Sequence, residues 1–150
     1  MAEHYHHTQR GILMLTALSL AAVLTGLPEI LVTLRSAQWP WLLFAPCVLL
    51  CASAWLFSSL TVEVSGTEIC WYFGPGLWHY RVALSDIEGV RIVRNMWLNG
   101  FGIRVRPGWR IYNVSGLDAV ELRLKTGDIR RIGTDDPRGL AAALKRLGAA

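Results

Sequence analysis

Arg104, Arg106, Trp109 and Arg110 fall within the window 104–110, and Trp97 and Phe101 come just before it. Guanidinium groups pair bidentately with carboxylate or phosphate oxygens. Tryptophan settles at the headgroup level of a bilayer. Alternation puts Arg104 and Arg106 on one strand face, opposite Ile103 and Val105, and Arg110 follows a tight Pro107-Gly108 turn. As a binding patch, Trp97, Phe101, Arg104, Arg106, Trp109 and Arg110 could contact anionic lipid headgroups. The competing expectation is a solvated strand face with Trp97 and Trp109 packed into a core. The segment Asn95–Gly102 is apolar for a loop, with Met96, Trp97, Leu98 and Phe101. It would either meet a bilayer or partner, or fold back over the core.

No other grouping points to chemistry. His79 has no Ser or Cys nucleophile motif around it. Asp86, Glu88, Asp135 and Asp136 are simplest as turn and cap residues. Gly74-Pro75-Gly76 and Gly100-Phe101-Gly102 fit neither a dinucleotide nor a P-loop pattern. His4, His6 and His7 lack further metal ligands and read as part of a solvated terminus. The expectation is therefore no catalytic residue, metal or cofactor.

These residues lie behind two long apolar stretches. Gly11–Pro28 and Ser36–Val62 carry no charge. A bilayer core of roughly 30 Å needs about 20 apolar helical residues. The first stretch, with its continuation Ile30–Leu34, and the second, from Trp39 or Trp41 to Leu60, both meet that length. The first is longer than a signal-peptide core, so an uncleaved helix is expected. Pro28 is expected to end it, with Glu29 at the interface. Trp39, Trp41 and Trp55 would mark the headgroup levels. The short connection Arg35–Gln38 predicts an antiparallel two-helix transmembrane hairpin over 11–60, preceded by a tail, 1–10.

Both termini then share one side of the membrane. Arg10 near the helix end, followed distantly by Arg81, Arg91 and Arg94, favours the cytoplasmic side over lone Arg35. The net charge is +4, and all of it falls after residue 60, because Arg10 and Arg35 are balanced by Glu3 and Glu29. That modest excess and the apolar hairpin argue against nucleic acid as a ligand. Three cysteines do not make a disulfide framework. Cys47, Cys51 and Cys70 read as small buried residues.

From Thr61 the period becomes two. Val62 and Val64 flank Glu63; Tyr80, Val82 and Leu84 alternate with Arg81 and Ala83; Val120, Leu122 and Leu124 alternate with Glu121, Arg123 and Lys125. Turn pairs such as Ser65-Gly66, Asn99-Gly100, Ser115-Gly116 and Thr126-Gly127 punctuate the runs. They predict an antiparallel meander of about seven strands over 61–133. Asp136-Pro137 opens a final helix, with Leu140, Leu144 and Leu147 on one stripe and Gly148 closing it. The expected class is a membrane α-helical hairpin plus an α+β domain, its curved sheet or partly open barrel capped by the C-terminal helix.

Strands followed by one helix, the element Leu84-Ser85-Asp86-Ile87-Glu88-Gly89-Val90, and the ending Arg131-Ile132-Gly133-Thr134-Asp135-Asp136-Pro137 resemble bacterial pleckstrin-homology-like (PH-like) domains. The resemblance covers roughly 60–147, giving a PH-like domain over 61–150. It implies a membrane-anchored, non-catalytic module of a bacterial inner membrane. Such a module presents a protein-binding surface as an accessory or assembly factor. Its partners would be the lipid bilayer and another membrane protein or a second copy of the chain. Sensing of anionic headgroups is the alternative. Phosphoinositide binding is not implied, because the loop at Ser65-Gly66 is short and uncharged.

Overall fold

The computed structural model describes residues 4–36, 44–99 and 101–149. A first strand, β1 (Tyr5–Arg10), precedes two apolar helices, α1 (Ile12–Ser36) and α2 (Phe44–Leu56). The chain then gives β2 (Ser59–Val64), β3 (Glu68–Phe73), β4 (His79–Ala83), β5 (Ile87–Arg94), β6 (Gly102–Arg106), β7 (Trp109–Asn113), β8 (Asp118–Leu124) and β9 (Ile129–Gly133). It ends in α3 (Pro137–Arg146).

The strands form two sheets. Sheet A has the order β1-β2-β3-β4 and is antiparallel throughout. Sheet B has the order β5-β8-β9-β7-β6, with one parallel pair, β7 with β9. The expectation of about seven strands in a single curved sheet or barrel is thus corrected, among the described residues, to nine in two open sheets. Eight of the nine follow the period-two runs. The ninth, β1, comes from the segment expected to be a solvated tail. It alternates Tyr5, His7 and Gln9 toward the core with His6, Thr8 and Arg10 outward, and polar side chains hide that pattern from a hydropathy reading.

Between the sheets lies one core: Leu60, Val62, Val64, Ile69, Trp71 and Phe73 from sheet A against Val90, Val120, Leu122, Ile132 and Tyr112 from sheet B. α3 closes one open side with Leu140 and Leu144. Its start is as expected. Asp136 accepts a hydrogen bond from the Gly139 amide at 2.9 Å, and Pro137 occupies the first turn. That cap is worth about 1 kcal/mol.

Among the described residues one helix, α1, is long and apolar enough to cross a bilayer. Pro28 does not end it. The helix continues to Ser36, with Glu29 inside it and the Glu29 carbonyl accepting from Thr33 Oγ1. In the described part of the second stretch the helix has 13 residues, about 20 Å, and stops at Leu56 short of the expected Leu60, because Ser59–Val62 belong to β2. It is too short alone for the expected second crossing. Trp39, Trp41 and most of the expected connection lie outside the described residues. α2 packs on α1 where Ala22 and Gly26 leave room: Cys47 Sγ donates to the Ala22 carbonyl at 3.6 Å, and a Cβ on Gly26 would sit 3.2 Å from that sulfur. The cysteines are unpaired, and Cys51 is exposed on the helix surface instead of buried.

The helices are fastened to the sandwich at one end. The Gly11 amide donates to Ser58 O at 2.8 Å, and the Gly74 amide to Ser59 O at 2.9 Å. A Cβ on Gly11 would lie 2.5 Å from Phe57 O, and one on Gly74 2.5 Å from Leu56 O. Gly74 also has φ +45°, which side chains disfavour. Backbone meets backbone at both points.

Candidate functional site

The sequence-picked residues divide between two faces of sheet B. Opposed residues of paired strands share a face. Register therefore aligns Arg91, Glu121, Arg131, Ile111 and Arg104 in one row of the outer face, with Trp109 and Arg106 in the next. Arg110 alternates to the inner face beside Arg130 and Tyr112. The six residues thus do not form one patch.

The outer face is a charge ladder. Glu121, only 2 % exposed, accepts from Arg91 and from Arg131 Nε at 2.7 Å. Burial works to raise the Glu121 pKa, but the two guanidinium hydrogen bonds outweigh it and hold it below its ordinary value. Arg131 also reaches Asn95 Oδ1 at 3.4 Å. The guanidinium carbons of Arg106 and Arg131 lie 5.6 and 5.5 Å from the Trp109 ring centroid, within cation–π range. Trp109 is half-buried under these cations, not in the core. Trp97 is 73 % exposed, with Met96 and Leu98 beside it, while Phe101 is half-buried. Leu98 shares a shallow hollow with Arg104, Arg106 and Trp109.

The inner face carries the larger cavity. β4 and the inner face of sheet B border a cleft of about 440 Å³. Its floor is aromatic: Tyr80 lies 4.7 Å from Tyr112 and 5.9 Å, stacked, from Trp71 between ring centroids. Its rim holds Arg81, Arg110, Lys125 and Arg130 against a single carboxylate, Asp86. Arg130 is held by Asp128 at 2.9 Å, and Arg81 stands 3.9 Å from Glu68. Among the described residues neither Arg110 nor Lys125 has a carboxylate partner. Burial raises the Tyr80 pKa, the neighbouring Tyr112 adds to this, and Arg110 acts against it. Trp71 is 1 % exposed, and its indole N–H has no hydrogen-bond partner among the described residues.

The cleft residues come from β3, β4, β7, β8, β9, the β4–β5 connection and the β8–β9 turn, so only the folded register brings them together. One signal was available: Arg130 and Arg131 are adjacent in a strand, so alternation must send them to opposite faces.

The two ends of the sandwich are fixed by the helix attachments. Val114 and Ser115 lie at the helix end: a Cβ on Gly11 would be 3.2 Å from Val114 Cβ, and Gln9 Nε2 donates to Ser115 O at 2.8 Å. Gly102 pairs with Asn113 next to them, whereas Arg106 pairs with Trp109 at the opposite end of the hairpin. The Arg106–Trp109 tip therefore stands four residues up the strand, on the order of 13 Å from that end. The turn that does lie beside the helices is Gly74–Trp78, with Leu77 and Trp78 each 59 % exposed. Neither residue was singled out from the sequence.

Among the described residues no group of three or more His, Cys, Asp or Glu could hold a metal ion. No protein-family model and no curated protein sequence matches the chain.

Proposed function

We propose that this protein is a membrane-anchored binding module that holds a cleft toward a protein partner on the aqueous side. The pairing of β1 with β2 carries the reading. β1 precedes the two apolar helices and β2 follows them, so both ends of the helical segment meet at Gly11 and Ser58. If α1 crosses the bilayer, the chain must return before β2. That supports a hairpin in which α2 belongs to the returning segment, with both ends of the helical segment on one side. The arginine bias assigns that side as cytoplasmic.

The PH-like resemblance remains our proposal for the domain. It draws support from a four-stranded meander, a β5-β8-β9 meander and a terminal helix, with the β6–β7 hairpin and the membrane helices as insertions. The cleft carries permanent cations over aromatic rings. Such a lining suits holding an anion more than moving a proton, which supports a binding role over catalysis. Headgroup sensing by Arg104, Arg106 and Arg110 is less favoured. Arg106 lies at the hairpin tip away from the helices, and Arg110 turns into the cleft.

Two measurements test the proposal. A reporter fused after Ala150 should behave as cytoplasmic; activity outside the membrane would overturn the topology. A photo-crosslinking residue at Tyr80 should give one discrete adduct in cells, and the same residue at Thr8, on the outer face of sheet A, should give none. Equal yields from both positions would remove the cleft as the binding surface.

A further inference from the structure

The geometry points to a specific ligand chemistry for the cleft: an extended segment of the partner that adds to the free edge of β4 and places carboxylates at alternate positions. This inference rests on the binding role proposed above and names the partner's chemistry. Three observations converge on it.

First, among the described residues β4 pairs only with β3 and the other side of its backbone has no strand partner, and Arg81, Val82 and Ala83 from that strand line the cleft. An edge with free amide and carbonyl groups accepts an added strand. Second, alternate side chains of such a strand would turn inward, toward the sheet B residues that line the cleft. They would meet Arg110 and Lys125, which lack carboxylate partners among the described residues, and Arg130. Carboxylates at every second position match that spacing and charge. Third, the buried Trp71 side chain lines the same cleft with an unpartnered N–H. An unsatisfied buried donor carries a desolvation cost, which an acceptor reaching it would relieve. Cationic rim, orphan donor and open strand edge all ask for acceptors on an extended chain. The aromatic floor adds apolar contact for the stems of the acidic side chains.

The chain in phosphatidylcholine nanodiscs is used for the test. A library of seven-residue linear peptides is selected against the full-length protein, with the Arg110→Glu/Lys125→Glu variant as the counter-selection target. Both substituted residues are exposed, and a thermal melt of the variant checks that it folds. The expected result is enrichment of peptides with Asp or Glu at alternate positions. These should bind wild type at least about tenfold more tightly than the variant. They should also shift the Trp71 indole N–H resonance.

Three outcomes would overturn the inference. The enriched peptides show no acidic pattern; acidic peptides bind the variant equally well; or millimolar inorganic phosphate displaces them and shifts the same resonance alone, making this a phosphate site. If the peptides fail while the Tyr80 crosslink persists, the partner chemistry falls and the binding role stands.

Discussion

At the helix end of the sandwich, Trp55, Leu77 and Trp78 are each about 60 % exposed. At the far end Arg106, Arg110 and Lys125 are exposed, together with one apolar side chain, Val105, at 64 %. The sandwich between them has one continuous core, so the contrast does not come from packing. Each exposed apolar ring or branched chain leaves roughly 1.5–3 kcal/mol of burial unrealised in water. That loss vanishes if the helix end rests in the interfacial layer, where Trp is favoured. The cations at the far end would be desolvated there but are well hydrated away from the bilayer. A bilayer around α1 would therefore suit the helix end of the domain better than the far end.

The strongest way to break this contrast is to separate the sandwich from the helices. Gly74→Val places a side chain against the Trp55 and Leu56 carbonyls and forces a φ of +45° on a β-branched residue. A loss of about 3 kcal/mol is expected by chemical denaturation in detergent, with faster proteolysis near residue 58. Unchanged stability would mean that the two parts are not clamped together.

A change on the outer face of sheet B tests whether the charges act independently of the anchor. Arg131→Met leaves buried Glu121 with only Arg91 and should cost about 2 kcal/mol. The sign of the pH dependence follows from the lowered Glu121 pKa. Its folded value lies below the ordinary 4.5, so its stabilisation is present above that pH and is lost as pH falls through the folded value. Acid melts of wild type should show this loss, and Glu121→Gln should flatten it.

Away from the ends' exposed side chains, Asp136→Ala removes the α3 cap and the acceptor of the Tyr5 hydroxyl. About 1 kcal/mol is expected from thermal melts, with no change in membrane association. The smallest effect is local. In a chain whose three cysteines are alanine, a polarity-sensitive dye at Leu77→Cys should emit blue-shifted in nanodiscs, and the same dye at Thr126→Cys should not. Matching spectra would remove the distinction between the ends.

The sequence made the eight strands after the helices readable, because Val, Ile and Leu alternate with charges between glycine turns. The start of α3 was readable because Asp136 and Pro137 act locally. β1 was not: its inward residues are Tyr5, His7 and Gln9, held by pairing with β2 and by hydrogen bonds to Ser115 O and Asp135. The pairing of β7 with β9, which builds the cleft, is parallel and non-local, so no local pattern encodes it. Arg110 was identified, but its neighbours Tyr80, Lys125 and Arg130 meet it only through that register.

The β1–β2 ladder also dictates an order of events during synthesis. Thr8 and Thr61, hydrogen-bonded across it at 2.9 Å, are 53 residues apart. β1 must wait for the whole apolar segment to be made and placed before its partner exists. Were the segment to cross once instead of returning, β1 would be stranded on the wrong side of the bilayer. β2 would then keep an open, aggregation-prone edge. If the helices enter a bilayer, sheet A can be completed only in chains whose helices have turned back.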